Sequence, residues 1–274
     1  MGGAMAAGRL LRNLSTTRSA PKQHDVDSGA AALAQNRAPT IRRFWRNVGV
    51  EERDGALAVV LDGRPIKTPD GQQIRIQASQ SVLAWLVAGE WEAQREFLGS
   101  HSLPLTSLVC RAIDGLADEQ VRIDVIDKLL KYFHTDSACL HELFPQPLVD
   151  LQQKHYMPVV SWACETYGIQ VAVTDNIFAL RQSPQATDEL RRVVSRFSAL
   201  KLAAFEKAVM TAKSFLIGLA LVEQRITAEQ AAAAAQVEMS AQTQFWGELE
   251  NAHDIDNAAM RQILGASACA SMGA

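Results

Sequence analysis

The stretch Leu57–Gly71 reads LAVVLDGRPIKTPDG and carries two turn signals between short apolar runs. Asp62-Gly63 follows the first run. An Asp-Gly pair in that place favours a two-residue type I′ hairpin turn, which needs positive φ at both positions. Pro69-Asp70-Gly71 is a second turn signal, because proline presets φ and glycine tolerates positive φ. With the flanking runs 44–50 and 73–76, the stretch predicts an antiparallel meander of about four strands.

Beyond this meander the apolar residues recur with helical spacing. Ser79 or Ser81 can cap a first helix that ends at about residue 97; its apolar positions are Val82, Leu83, Leu86, Val87 and Trp91. From Asp118 the pattern predicts one strand, at 169–173, and a series of helices at 118–133, 147–167, 186–199, 201–224, 227–249 and from near Asp254. We expect the helix 147–167 to be interrupted or kinked near Pro158, and Thr227 with Gln230 three residues later predicts a capping box at the start of 227–249. The predicted fold is therefore α+β, with a small antiparallel β-rich N-terminal domain (39–116, including one helix) followed by a mostly α-helical C-terminal domain (117–274).

Composition and charge argue against several classes of protein. Of the 274 residues, 48% are apolar and 21% charged, which is ordinary for a chain that buries a sizeable core. The net charge of −3 gives no global electrostatic reason to bind nucleic acid. The most hydrophobic stretch, Ser214–Val222, is far shorter than the roughly 20 residues that cross a bilayer, so we expect no stable membrane insertion. The four cysteines lie far apart, which indicates reduced thiols.

The N-terminus differs in character from the rest of the chain. Residues 1–23 contain no acidic residue, and the basic residues there are Arg9, Arg12, Arg18 and Lys22, interspersed with leucines and followed by hydroxyl residues. This composition is typical of a mitochondrial transit peptide, although a basic disordered tail would look similar. We therefore predict a transit peptide and linker over 1–38 and a mitochondrial location.

A search for catalytic or metal-binding motifs yields little. The sequence has no glycine-rich nucleotide loop and no HExxH pair. His134, Asp136, Cys139 and His141 are close in sequence, but their spacing matches neither a helical histidine pair nor a zinc ribbon. A helix-end cap and surface histidines explain them better. We therefore predict no catalytic residue, no metal site and no cofactor.

The C-terminal region contains one cluster that suits binding. Glu238, Gln242 and Trp246 are spaced at four residues and so share one helix face; Gly247, Glu248, Glu250, His253 and Asp254 follow. One interpretation is an exposed acidic helix end with Trp246 packed into the core. The other is a contact surface in which an aromatic anchor surrounded by carboxylates recognises a partner of complementary charge. The residues alone leave both open.

Several motifs then occur in a fixed order along the chain. They are RFWRNV from Arg43, LDGRPIKTP from Leu61, EWEAQ from Glu90, LPLTSL from Leu103, AID from Ala112, LKYFHTD from Leu130, and WG followed by Glu250, His253 and Asp254. This ordered set resembles the mitochondrial ATP synthase assembly factor 2 family, the chaperones of the α subunit of the catalytic head. The resemblance covers roughly residues 42–265, which is nearly all of the chain that would follow a transit peptide.

The resemblance implies a binding protein and not an enzyme. Members of this family bind the free α subunit in the mitochondrial matrix and prevent its aggregation until it pairs with β. Their fold combines a small β-rich domain with a helical one, and nothing in the sequence demands more than a monomer. Carried over to this chain, the resemblance implies Glu250 as the main partner-binding residue and Glu238 as a second carboxylate, together with Trp246, His253 and Asp254.

Two other hypotheses remain open from the sequence. The chain could be a matrix enzyme that uses Glu250, His253 and Asp254 for acid–base chemistry, which would require a strongly shifted pKa inside a deep pocket. It could also be a permanent structural subunit of the synthase, which its stoichiometry with the enzyme would reveal.

Overall fold

The structure, a computed structural model, describes residues 41–246 and 254–273. The N-terminal part of these residues forms a four-stranded antiparallel sheet. The strands are β1 (Val48–Arg53), β2 (Ala56–Leu61), β3 (Arg64–Pro65) and β4 (Ile76–Gln77). The central strand β2 pairs antiparallel with each of the other three, and its register with β1 runs from Val48 opposite Leu61 to Arg53 opposite Ala56. The predicted transit peptide and linker, 1–38, lie outside the described residues.

Both hairpin turns of the sheet use Asp-Gly pairs with positive φ. The values are 52° and 74° at Asp54 and Gly55, and 47° and 80° at Asp62 and Gly63, as a type I′ turn requires. The Asp62 carboxylate also accepts hydrogen bonds from the backbone N–H groups of Arg46 (3.1 Å) and Asn47 (2.8 Å). These backbone bonds lower the pKa of Asp62 and join the turn to the segment before β1. The hairpin predicted at Asp62-Gly63 is confirmed.

Helices make up most of the remaining described chain. They are α1 (Ser81–Glu92), α2 (Pro104–Cys110), α3 (Glu119–His134), α4 (Gln146–His155), α5 (Met157–Tyr167), α6 (Pro184–Ser195), α7 (Ala199–Ala212), α8 (Phe215–Val222), α9 (Ala228–Ala235), α10 (Val237–Trp246) and α11 (Asp254–Ser271). The predicted α+β fold, with a small antiparallel sheet followed by a mostly helical part, is confirmed. No helix in residues 41–246 or 254–273 combines the length and apolar character needed to span a bilayer.

Several predicted elements are wrong in detail. Residues 169–173 form no strand, and the nearest pairing is an isolated bridge between Leu140 and Thr174. The span 201–224 is two helices, because Lys213 adopts a left-handed conformation and Ser214 caps α8 by accepting from the N–H of Ile217. Likewise 147–167 breaks at Tyr156, close to the predicted interruption, and 227–249 breaks at Gln236. The first helix ends at Glu92 and not near residue 97.

Helix α8 lies at the centre of the helical part, and each of its residues is buried. The ring of Phe215 packs against those of Phe133 and Phe205, with centroid distances of 5.7 Å and 5.0 Å. Gly218 lies so close to α7 that a Cβ atom there would stand 2.6 Å from Cγ2 of Val209. The same hydrophobic cluster includes residues of the sheet region. The predicted domain boundary between 116 and 117 stays a prediction.

Candidate functional site

The C-terminal cluster predicted from sequence is only partly within the described residues. Glu238 is the second residue of α10, and Trp246 is its last. Asp254 is the first residue of α11. Glu250 and His253 lie outside the described residues, and the side chains of Trp246 and Asp254 are likewise not described. The geometry of this region therefore rests on Glu238 and its neighbours.

Glu238 and Gln242 both line a cleft of about 470 Å³, which we call the acidic cleft. It lies between the loop 140–145, α4 and α10. Its polar lining residues are Glu142, Gln152, Glu238 and Gln242, and its apolar ones are Leu140, Phe144, Pro145, Leu148 and Ala241. The lining thus combines two carboxylates and two amides with an apolar wall, and no Lys or Arg is among its described residues.

The carboxylates of the acidic cleft are available for a partner. Glu142 and Glu238 are both exposed, and neither forms an ion pair with another residue in the described ranges. The negative charge of Glu238 nonetheless acts on its surroundings. Burial in the first place, and Glu238 in the second, raise the pKa of the Tyr156 phenol well above its usual value. The described lining of the cleft therefore carries negative charge.

Gln152 is a buried polar residue in the wall of this cleft. Its side chain is only 3% exposed, and its Nε2 atom donates a 3.3 Å hydrogen bond to the carbonyl oxygen of Leu140. Its Oε1 atom is buried and accepts no hydrogen bond from any described residue. A buried acceptor without a donor is unusual in a folded protein, because its lost hydration is not replaced. The sequence alone does not identify Gln152 as a lining residue, because only the packing of α4 places it at the cleft.

Large apolar side chains are exposed beside the acidic cleft. Leu143 is 80% exposed and Phe144 is 79% exposed. A second loop joins this one through a 2.9 Å hydrogen bond from the N–H of His141 to the carbonyl oxygen of Thr174. That second loop exposes Ile177 and Phe178. Consecutive apolar residues in a loop, such as Leu143 and Phe144, are a sequence signal that could have indicated this exposed apolar surface.

Helix α1 also presents apolar residues to solvent. Val82, Trp85 and Leu86 are exposed by 70%, 61% and 39%, and their spacing puts them on one face of the helix. The buried residues of the helix are Leu83, Ala84, Val87 and Ala88. The apolar positions predicted along this helix therefore do not share one buried face. Trp91 is half-buried, and its Nε1 atom donates to Oγ1 of Thr106 at 3.1 Å.

A larger groove of about 900 Å³ lies between α2, α7 and α11. Most of its lining is apolar, including Met210, which is 37% exposed. Its charged lining includes Arg111 and Glu206, which already pair with each other through Nε and Oε2 at 2.9 Å. This ion pair leaves that part of the groove without an unsatisfied charge.

Two carboxyl groups whose pKa is raised by burial, Asp136 and Glu90, hold helix starts. Asp136 is completely buried, and burial raises its pKa to about 6 although several donors oppose the shift. Its Oδ1 accepts from the N–H of Ala138 at 3.0 Å and its Oδ2 from that of Leu216 at 2.9 Å. The predicted capping role of Asp136 is confirmed, and His134 lies at the surface. No group of three or more His, Cys, Asp or Glu residues in the described ranges could hold a metal ion.

Glu90 has an equivalent role at the start of α2. Its carboxylate accepts hydrogen bonds from the N–H of Leu105 at 2.6 Å and from the N–H and Oγ1 of Thr106, both at 2.8 Å. Burial raises the pKa of Glu90, and these donors oppose the increase. Glu90, the first residue of the EWEAQ motif, thus caps the helix that contains most of the LPLTSL motif, so these two motifs are in direct contact.

The family model and the similar proteins that this chain matches all point to one family. Residues 42–164 match the family described as the ATP12 chaperone protein. The chain is 31% identical over 238 residues to the mitochondrial protein atp12 of Schizosaccharomyces pombe, covering 84% of this chain and 82% of that protein. It is also 31% identical to the mitochondrial protein ATP12 of Saccharomyces cerevisiae, covering 89% of this chain and 88% of that one.

A solved structure agrees with the sequence relatives. The crystal structure of Atp12 from Paracoccus denitrificans aligns with a TM-score of 0.73 and 29% identity, over 84% of this chain and 97% of that chain. The sequence relatives cover well over two thirds of each chain, so the match is not confined to one shared segment. The resemblance drawn from the ordered motifs is confirmed, and the chain belongs to the ATP12 chaperone family.

Proposed function

We propose that this chain is a mitochondrial chaperone for assembly of the ATP synthase. In the matrix it binds the free α subunit of the catalytic head and prevents its aggregation until α pairs with β. The observation that carries the proposal is the family membership, which extends over more than four fifths of the chain and includes the ordered motifs. Two relatives named as mitochondrial support the location, as does the basic, acid-free N-terminus.

The physical demand for such a protein follows from the client. Subunits that form large obligate interfaces expose apolar surface when they are unpaired, and that surface promotes aggregation. A chaperone must offer apolar contacts and still release the client. The exposed apolar residues beside the acidic cleft, such as Phe144, and on α1, such as Trp85, suit that task.

A binding role also agrees with how the buried carboxylates are used. Asp136 and Glu90 have raised pKa values, which is often a sign of catalysis. Here both accept backbone N–H donors at helix starts, so a structural role accounts for the burial. We therefore propose that the chain is not an enzyme. We also propose that it acts as a monomer that binds its client directly.

The partner-binding residues proposed for this function are those of the C-terminal cluster. Glu250 is the principal one, Glu238 is a second carboxylate, and Trp246, His253 and Asp254 complete the set. Of these, Glu238 has the best supported position, because it is exposed on α10 and lines the acidic cleft.

Affinity purification from mitochondria tests the proposal. A tagged copy of the chain should recover the α subunit, and should recover more of it when β is depleted and free α accumulates. Failure to recover α under β depletion would contradict the proposal. The molar ratio to the assembled synthase separates a chaperone from a permanent subunit, since a subunit would match the enzyme mole for mole.

A further inference from the structure

We propose that the acidic cleft receives a lysine or arginine side chain of the client α subunit, in a segment where apolar residues flank that cation. The proposal rests on the proposed function and deepens it, because it assigns one contact surface and the chemistry that this surface recognises. The charge of the cleft, the buried Gln152 amide and the apolar rim support it.

The charge of the cleft favours a cation. Glu142 and Glu238 both line it and both are exposed, and within residues 41–246 and 254–273 no basic residue lines the cleft. Unpaired carboxylates across an interface select for a partner of opposite charge and disfavour acidic segments. Glu238 is close enough to the buried Tyr156 to raise the pKa of its phenol, so its charge is felt inside the protein as well as at the surface.

The Gln152 amide supplies the second, independent observation. Gln152 lines the cleft. Its Oε1 atom is buried and lacks a hydrogen-bond donor within the described part of the chain. Its Nε2 atom is already engaged with the carbonyl oxygen of Leu140, which fixes the orientation of the amide. A donor that enters the cleft and reaches this oxygen would supply the hydrogen bond that the buried acceptor lacks. Lysine and arginine side chains carry several N–H donors and no acceptor, and they also carry the charge that the carboxylates require.

The apolar wall and rim determine what surrounds the cation. The wall residues Leu148 and Ala241 can pack against the methylene groups of a long basic side chain, whose charged end then reaches the polar groups. A cleft of about 470 Å³ has room for more than one side chain. At its rim Leu143 and Phe144 are almost fully exposed, so apolar neighbours of the cation would cover them.

Charge substitution at Glu238 tests the proposal in the full chain. We would measure the dissociation constant for purified free α subunit with wild type, Glu238→Gln and Glu238→Lys. The matched control is Glu165→Lys, which makes the same charge change at an exposed residue of α5 outside the cleft. We expect Glu238→Lys to weaken binding by about tenfold or more, Glu238→Gln to weaken it less, and Glu165→Lys to stay within about twofold of wild type.

The outcomes distinguish a failure of the cleft proposal from a failure of the proposed function. If wild type binds α and Glu238→Lys binds equally well, the cleft proposal is overturned while the proposed function stands. If wild type itself fails to bind α, both fall together. Unchanged thermal melting of the Glu238 variants would show that any loss of affinity is not a loss of fold.

A crosslinking experiment identifies the occupant directly. Photoreactive benzoylphenylalanine would replace Phe144, which lines the cleft and is 79% exposed. After irradiation with the α subunit and digestion, the crosslinked α peptide should contain a Lys or Arg beside apolar residues. Crosslinks to an acidic peptide, or to a second copy of this chain in place of α, would overturn the proposal.

Discussion

The Oδ2 atom of Asp136 accepts a 2.9 Å hydrogen bond from the backbone N–H of Leu216, 80 residues further along the chain. Its Oδ1 atom accepts from the N–H of Ala138, which starts the short 3-10 turn Ser137–Cys139. One buried carboxylate therefore holds two separate helix starts, whose N–H groups have no partner within their own helices. This contact joins the region after α3 to the most buried helix of the protein.

The buried Asp136 should make stability depend on pH. Its pKa is raised from 3.8 to about 6 by burial, so the folded state binds more protons than the unfolded state between these values. The free energy of unfolding should therefore fall as pH rises through this window, by up to about 3 kcal/mol from this group. Urea unfolding between pH 4 and pH 7 would measure it. Asp136→Asn should lack this component, and parallel pH profiles for the two proteins would contradict the assignment.

Removal of the Glu90 carboxylate should destabilise the start of α2. Glu90→Ala leaves the N–H groups of Leu105 and Thr106 without their acceptor, so we expect a loss of about 2 kcal/mol in the free energy of unfolding. Urea denaturation checks this. The control is Glu92→Ala, two residues away, where an exposed carboxylate makes only a 3.4 Å ion pair with Arg43 and the loss should stay below about 0.5 kcal/mol. Equal effects of the two substitutions would argue against the capping role.

The close approach of α7 and α8 should make Gly218 intolerant of any side chain. Gly218→Ala places a methyl group 2.6 Å from Cγ2 and 3.0 Å from the backbone nitrogen of Val209, so the helices must move apart. We expect a loss of about 1–3 kcal/mol. Gly89→Ala is the control, because the new Cβ would meet no atom within 4 Å apart from its chain neighbours and the backbone of its own helix, and a helical alanine should stabilise by about 0.5–1 kcal/mol. Thermal melting distinguishes the two, and a stabilised Gly218→Ala protein would show the packing to be looser than described.

Local chemistry explains what the sequence predicted well. The conformation of the Asp-Gly turn depends only on its own two residues. The capping box is also local, because it is formed by Thr227 and Gln230, which are three positions apart. The turn is present, and so are both hydrogen bonds of the capping box. Gln230 Oε1 accepts from the N–H of Thr227 at 2.8 Å, and Thr227 Oγ1 accepts from the N–H of Gln230 at 3.2 Å. Such features depend on residues that are close in the chain and not on tertiary contacts.

Tertiary packing explains what the sequence could not predict. Helix α1 is apolar on more than one face, so periodicity could not tell that Leu83 is buried while Val82 is 70% exposed. The acidic cleft joins residues from segments far apart in the chain. Neither the free acceptor of Gln152 nor its nearness to Glu238 follows from any local pattern, because both depend on how α4 packs against α10.

The proposed function requires that this chain keep the free α subunit soluble. Co-expression of the full chain with the α subunit alone, in the absence of β, tests it through the fraction of α in the soluble extract. We expect α to remain soluble with the wild-type chain, to precipitate without it, and to precipitate with the Glu250→Lys chain provided that this variant is itself soluble. Precipitation of α in the presence of the soluble wild-type chain would contradict the account.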